Sequence, residues 1–185
     1  MPARSRKRLF APLEEWFFAR YRDFSDIQKL ALPHTLRGEN TLILAPTGSG
    51  KTLAAFLSAL SQLGERAAAG KLENAVYVIY VSPLRSLSRD IERNLAGPLA
   101  ALNRSLPAAH QLRMDVRSGD TSESERARMS KAKPHLLLTT PESLTSLVSQ
   151  VQWREAFRAG VVIVDEIHSF CESKRGSLLA LTLER

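Results

Sequence analysis

The amino-acid sequence predicts an α/β domain: a mainly parallel sheet flanked by helices, with an N-terminal helical preface. Three observations predict it. Apolar, β-rich runs recur at 41–45, 75–81, 113–117, 135–139 and 161–165. The runs VYVIYV, LLL and VVIV are continuously hydrophobic, as strands buried on both faces are. Amphipathic segments of helical length lie between the runs, near 50–69, 84–105, 121–132, 142–151 and 171–185. Strands alternating with helices give parallel pairs joined by right-handed crossovers.

The elements follow in chain order. Residues 1–11 read as a basic flexible tail, with Arg4, Arg6, Lys7 and Arg8 clustered in it. Residues 12–185 read as one domain, a size that allows a real core. Two helical segments, 12–21 and 25–37, precede the first strand at 41–45. The next helix ends at AAAG, where Gly70 suits a C-terminal cap. Thr140 before Pro141 suits a helix start, with a hydroxyl at the cap and proline at the first helical position.

Composition narrows the class. Of 185 residues, 44% are hydrophobic and 24% charged, values of an ordinary soluble protein. No apolar stretch approaches the ~18 residues of a membrane span, and the basic N-terminus lacks the apolar centre of a signal peptide. Cys171 is the only cysteine, which excludes an internal disulfide and disfavours a cysteine-built zinc site. His34, His110 and His135 form no metal-ligand spacing with His168 or with each other. These points favour the cytoplasm and no membrane. The net charge of +7 suits a polyanion such as nucleic acid and equally suits a merely soluble basic surface.

The stretch LILAPTGSGKTLAAF reads as strand, loop and helix. Its loop follows the pattern G-x-x-x-x-G-K-[ST], with Ala45 in place of the first glycine. Thr47, Gly48, Ser49 and Gly50 supply a turn whose N–H groups point inward, and the helix start adds its positive end. Lys51 can reach the outer phosphates of a nucleotide, and the Thr52 hydroxyl can ligate magnesium. A second apolar run ends in VVIVDEIH. There Asp165 can hold magnesium through water and Glu166 can polarise the attacking water molecule. Either feature alone has a plain structural explanation; together they supply both halves of a phosphate-cleaving site.

The segments APTGSGKT and DEIH together resemble motifs I and II of superfamily 2 helicases of the DExH type. YVSPLRSLSRDI, RSGDTSESER and TTPESL resemble the motifs that lie between them, and DEIHSFCESKRGSLLALTLER is similar to the corresponding segment of the large helicase-related (Lhr) family. The resemblance covers about residues 12–185. It implies a RecA-like P-loop NTPase lobe, the first of two in a motor that uses ATP and magnesium to translocate on single strands and unwind duplexes in DNA repair. It implies single-stranded nucleic acid as partner, DNA in preference to RNA, and a second RecA-like lobe. That lobe would carry the arginine fingers, so this chain alone should turn ATP over poorly. It also gives residue roles. Gln28 resembles the glutamine that reads adenine with both ends of its amide, and Phe24 either stacks on the base or belongs to the core. Arg85 and Ser86 with Ser82, Gly119 and Thr121 with Asp120, and Thr140 and Pro141 with Thr139 resemble strand-contacting positions. His168 resembles the residue that couples the site to the second lobe or the γ-phosphate. Lys174 and Arg175 either touch the strand or another domain, or form a solvated helix face.

Overall fold

The computed structural model describes residues 8–83 and 85–184, without the side chains of 85–90. The chain forms two compact units, one from residues 1–71 and 98–111, the other from 72–97 and 112–185. Their boundary passes through one long helix at Pro98.

The first unit is helical among its described residues. α1 (Ala11–Arg20) and α2 (Asp26–Thr35) pack on α3 (Lys51–Ala68). Leu13, Phe17, Phe56, Leu57, Leu60 and Leu102 make its interior. α3 ends as its sequence predicts, with Gly70 at φ 66°. The later part of α4 (Arg85–Arg104) and a 3₁₀ turn, Ala108–His110, complete the unit.

One expectation fails here. The run 41–45 is not a strand; it is irregular chain, with Leu42 67% and Leu44 78% exposed. Strand propensity becomes a strand only when a partner takes the backbone N–H and C=O groups. All four described strands belong to the other unit, and no described ladder includes 41–45.

The second unit holds that sheet, with strands β1 (Val76–Val81), β2 (Met114–Arg117), β3 (Leu136–Thr139) and β4 (Phe157–Val164), ordered β2-β3-β1-β4. Every pair is parallel. β1 and β3 sit centrally and every residue of both is buried, as their uninterrupted apolar sequences predict. β4 departs from expectation twice. It begins at Phe157, four residues before the apolar run, because Phe157 pairs with Val76 across an irregularity in register. It is also partly exposed, with Val162 at 42%, because its one described partner is β1.

Helices α5 (Glu123–Lys131), α6 (Pro141–Val148), α7 (Val151–Arg154) and α8 (Lys174–Leu183) cross or follow the strands. Val76, Ile79, Leu137, Leu144, Trp153, Phe170 and Leu179 belong to one apolar core. The single helix expected at 142–151 is two. Ser149 Oγ and Gln150 Nε2 donate back to the carbonyls of Thr145 and Ser146 (2.9 and 3.0 Å), which closes α6 before α7 starts. A 3₁₀ turn, Ile167–Phe170, precedes α8. A Cβ on Gly176 would run into the Phe170 carbonyl oxygen, so only glycine lets the first turn of α8 pack there.

Candidate functional site

In the first unit the phosphate-loop sequence forms a turn followed by a helix start. The Ser49 N–H donates to the Pro46 carbonyl at 3.4 Å, and Gly48 and Gly50 adopt φ 79° and 91°. Gly50 is the residue before α3 and offers no side chain to cap it. The first N–H groups of a helix have no partner within it, so this end of α3 presents donors and the positive pole of the helix dipole. Lys51 lies over the loop, donating to the carbonyls of Ala45 and, at 3.2 Å, Pro46. The Ser49 hydroxyl is buried without a hydrogen-bond partner. Thr47 is exposed and Thr52 half-buried in the first turn of α3.

The start of α2 braces this loop. Ser25 Oγ donates to the Ser49 carbonyl at 3.0 Å. The Ser25 N–H donates to Gln28 Oε1 at 3.0 Å, completing a capping box. A Cβ on Gly50 would meet Gln28 Nε2 at 2.8 Å, so loop and amide fit only because residue 50 is glycine. Gln28 is 5% exposed. The Ser25 N–H takes only one of the two lone pairs of Oε1. Phe24 stacks on Phe17 with ring centroids 4.3 Å apart and meets Phe18 edge-on. One face of its ring is therefore in the apolar cluster. The role of Ser25 was legible in Ser-x-x-Gln, a capping-box pattern overlooked beside the glutamine itself.

In the second unit the four strands are parallel, so the segments after them share one end of the sheet. After β4, Asp165 accepts two hydrogen bonds, from Tyr80 Oη to Oδ2 at 2.6 Å and from the Glu166 N–H to Oδ1 at 2.9 Å. Glu166 adopts φ 49°, a left-handed conformation rare for a residue with a Cβ. His168 is 77% exposed, its Nε2 3.3 Å from Glu166 Oε2. The chain thus brings Asp165, Glu166 and His168 together on one turn. Tyr80 is fully buried. Burial, then the adjacent Asp165 carboxylate, pushes its phenol far above the usual range, so it stays a donor.

After β2, Thr121 Oγ1 accepts from the Ser118 N–H (2.9 Å) and donates to the Val116 carbonyl (3.3 Å), while Arg126 donates to the carbonyls of Thr121 (2.8 Å) and Gly119 (3.2 Å). Gly119 is exposed; Thr121 is buried, its hydroxyl used to shape the loop. After β3, Thr140 Oγ1 caps α6 by accepting from the Ser143 N–H at 3.4 Å, with Pro141 next, as the sequence predicts. Thr140 and Pro141 are buried. Arg175 is half-exposed and already engaged, donating to Glu142 Oε1 (2.5 Å) and the Pro83 carbonyl (2.9 Å). Arg85 and Ser86 lie outside the described side chains. Among the described residues no group of three or more His, Cys, Asp or Glu forms a metal cage.

Residues 25–185 match the family model of the DEAD/DEAH box helicases. The chain belongs to the DEAD/DEAH box helicase family. This DEAD/DEAH box chain is 48% identical over 178 residues to the ATP-dependent helicase Lhr-Core of Methanothermobacter thermautotrophicus, a match covering 94% of this chain and 20% of that protein. It is 38% identical over 187 residues to the Lhr helicase/uracil glycosylase of Escherichia coli, covering 96% of this chain and 12% of that one. The structure of Mycobacterium smegmatis helicase Lhr bound to ssDNA and AMP-PNP superposes with a TM-score of 0.84 at 41% identity, covering 98% of this chain and 23% of that one. The DEAD-box helicase Mss116 bound to ssRNA shares the fold, with a TM-score of 0.78 at 19% identity. The DEAD/DEAH box chain thus spans about a fifth of the archaeal relative and 12% of the Escherichia coli one. No described helix is long and apolar enough to cross a membrane.

Proposed function

We propose that this chain is the ATP-binding lobe of an Lhr-type helicase, which couples ATP hydrolysis to translocation on single strands and duplex unwinding. The observation that carries the reading is the phosphate loop. Two left-handed glycines lead into a helix start without a side-chain cap, and a lysine lies over the turn. Thr47 to Thr52 would hold the triphosphate, with Lys51 at its outer phosphates. Gln28 and Phe24 would meet the adenine. Glu166 would polarise the attacking water, and His168 would couple that step to a second RecA-like lobe carrying the arginine fingers.

Magnesium fits the residues present. It prefers oxygen ligands and arrives bound to phosphates, so it needs only one or two from the protein. The Thr52 hydroxyl and the Asp165 carboxylate are ligands of that kind. When bound, the ion would neutralise charge on the transferred phosphoryl group.

Residues 12–185 would act as one lobe behind the basic N-terminal segment, whose last residues join the fold: Leu9 is buried, the Phe10 N–H donates to Ser61 Oγ at 2.7 Å, and Ala11 opens α1. Single-stranded nucleic acid would lie along Arg85, Ser86, Gly119, Thr121, Thr140 and Pro141. The single strand bound to the Mycobacterium smegmatis relative supports DNA over RNA. The glycosylase in the names of bacterial relatives supports a role in DNA repair. The cytoplasm suits such a substrate.

Lys51→Ala tests the reading. The variant should keep the parent's circular dichroism and lose its affinity for a fluorescent ATP analogue. Among the described residues the ammonium bonds only to carbonyls of its own loop, so the fold does not need it. Unchanged affinity would overturn the phosphate-loop assignment.

A further inference from the structure

Tyr80 is a buried polar group that the proposed chemistry does not use. It lies on the central strand β1, and its side chain is fully buried. A phenol placed there must find a hydrogen-bond partner or forfeit its solvation. It donates to Asp165 Oδ2 at 2.6 Å, across to the turn that follows β4. The parallel register sets Tyr80 beside Ile163 and Val81 beside Val164. The phenol therefore reaches forward along the strand to the first residue beyond β4.

Ser82 extends the line. It follows Tyr80 by two residues, so the two side chains share one face of the strand. Ser82 is fully buried, and its hydroxyl lies within reach of the Tyr80 phenol as a donor that favours the ionised form. The line runs from Ser82 through Tyr80 to Asp165 Oδ2. The Glu166 N–H holds the other carboxylate oxygen. Both oxygens of Asp165 are thus fixed in direction by donors from the protein.

We propose that Tyr80 is the positioning residue of the metal-holding carboxylate, and that Ser82 orients Tyr80. The proposal rests on the assignment of Asp165 to the magnesium of a bound nucleotide. Tyr80 touches neither nucleotide nor metal in this role; it acts through Asp165. A carboxylate held by a neutral donor keeps one orientation while its remaining lone pairs stay available to an ion or its water. Without the donor, the side chain must be ordered each time the metal binds. Groups that orient metal ligands in this way are typically worth 10–100-fold in metal affinity or activity.

The test uses the full 185-residue chain and binding rather than turnover. A fluorescent ATP analogue is titrated with magnesium, and the half-saturating magnesium concentration is read. Tyr80→Phe keeps the ring in the core and removes only the donor. It should raise the half-saturating magnesium roughly 10-fold, with nucleotide affinity in excess chelator equal to that of the parent. Ser82→Ala should shift it in the same direction by less. In an Asp165→Asn background, Tyr80→Phe should add nothing, because the route runs through the carboxylate. Unchanged magnesium dependence in Tyr80→Phe overturns the proposal, whatever happens to its melting temperature. So does a shift that persists in the Asp165→Asn background. Should Tyr80→Phe fail to fold, Ser82→Ala decides, and unchanged magnesium dependence there overturns the proposal. A parent chain whose nucleotide affinity ignores both magnesium and Asp165→Asn overturns the assignment of Asp165, and the role of Tyr80 with it. Loss of the Lys51→Ala effect would be a separate failure, that of the phosphate loop.

Discussion

The two ends of the parallel sheet use polar residues in opposite ways. Before the strands, charged groups are spent on the protein itself. Arg113 donates through Nε and Nη2 to the Lys133 carbonyl (3.0 and 2.9 Å) and to Asn74 Oδ1 (3.1 Å). Lys133 is 5% exposed, donates to the Ser130 carbonyl at 2.6 Å and lies 4.4 Å above the Trp153 ring. His135 is 2% exposed and accepts the Arg113 N–H at 3.1 Å. After the strands, buried donors fix the backbone and one carboxylate, while Glu166, His168 and Gly119 keep some exposure. Burying charge with its partners supplied stabilises the unit but leaves nothing to bind with. Bracing a loop from beneath costs buried hydroxyls and leaves its outer groups for a ligand.

The comparison predicts that substitutions beyond the strands cost function and those before them cost stability. The largest effect belongs to Glu166→Gln. With a second motor lobe joined to this chain, it should lower ATP hydrolysis by about 10²–10⁴-fold while the thermal midpoint stays put. A hydrolysis rate near the parent's would remove Glu166 from the chemistry and blur the contrast.

Arg113→Ala is the reverse case. It leaves the Lys133 carbonyl without its two Arg113 donors, while Asn74 Oδ1 keeps the Lys133 N–H at 2.7 Å, so it should cost about 1–3 kcal/mol, read by chemical denaturation. Affinity for the fluorescent nucleotide should not change. A loss of nucleotide affinity in the folded variant would show that the two ends are coupled.

The most gradual effect is a pH dependence. Burial, with the nearby Arg113 guanidinium, lowers the His135 pKa to about 4. The unfolded chain takes up that proton near pH 6.5 and the folded chain does not, so the unfolded state binds more protons between these values. Stability contributed by neutral His135 is complete above about pH 6.5 and is lost as pH falls towards 4, at no more than about 1.4 kcal/mol per pH unit. Denaturation midpoints across that range should lose part of their slope in His135→Gln. An identical slope in the variant would place the acid sensitivity elsewhere.

Much of the fold was legible in the sequence because it rests on local pattern. The buried strands at 75–81 and 135–139, the cap at Thr140 with Pro141, and the lysine after two glycines all stand where the chain puts them. The misreadings share a cause. The run 41–45 has strand composition, but composition supplies no hydrogen-bond partner. The early start of β4 depends on Val76, and the break after Val148 on side chains that turn back onto their own helix. Among the candidate residues, Asp165 and Glu166 were legible from the apolar run that ends in them. Tyr80 was hidden in VYVIYV, where an aromatic residue reads as core.

By itself the sequence determined the alternation of strands and helices, the parallel sheet and the family. These follow from periodicity, turn chemistry and motif spacing, which act over a few residues. Only the tertiary structure decided which runs found partners and which edge stayed partly exposed. It also decided that Gln28 seats its amide against Gly50 and that Tyr80 reaches Asp165. Those outcomes rest on contacts between residues far apart in the chain, as far as the 85 positions between Tyr80 and Asp165. A hydrogen bond of that reach has its geometry set by strand register, and register exists only once the sheet has formed.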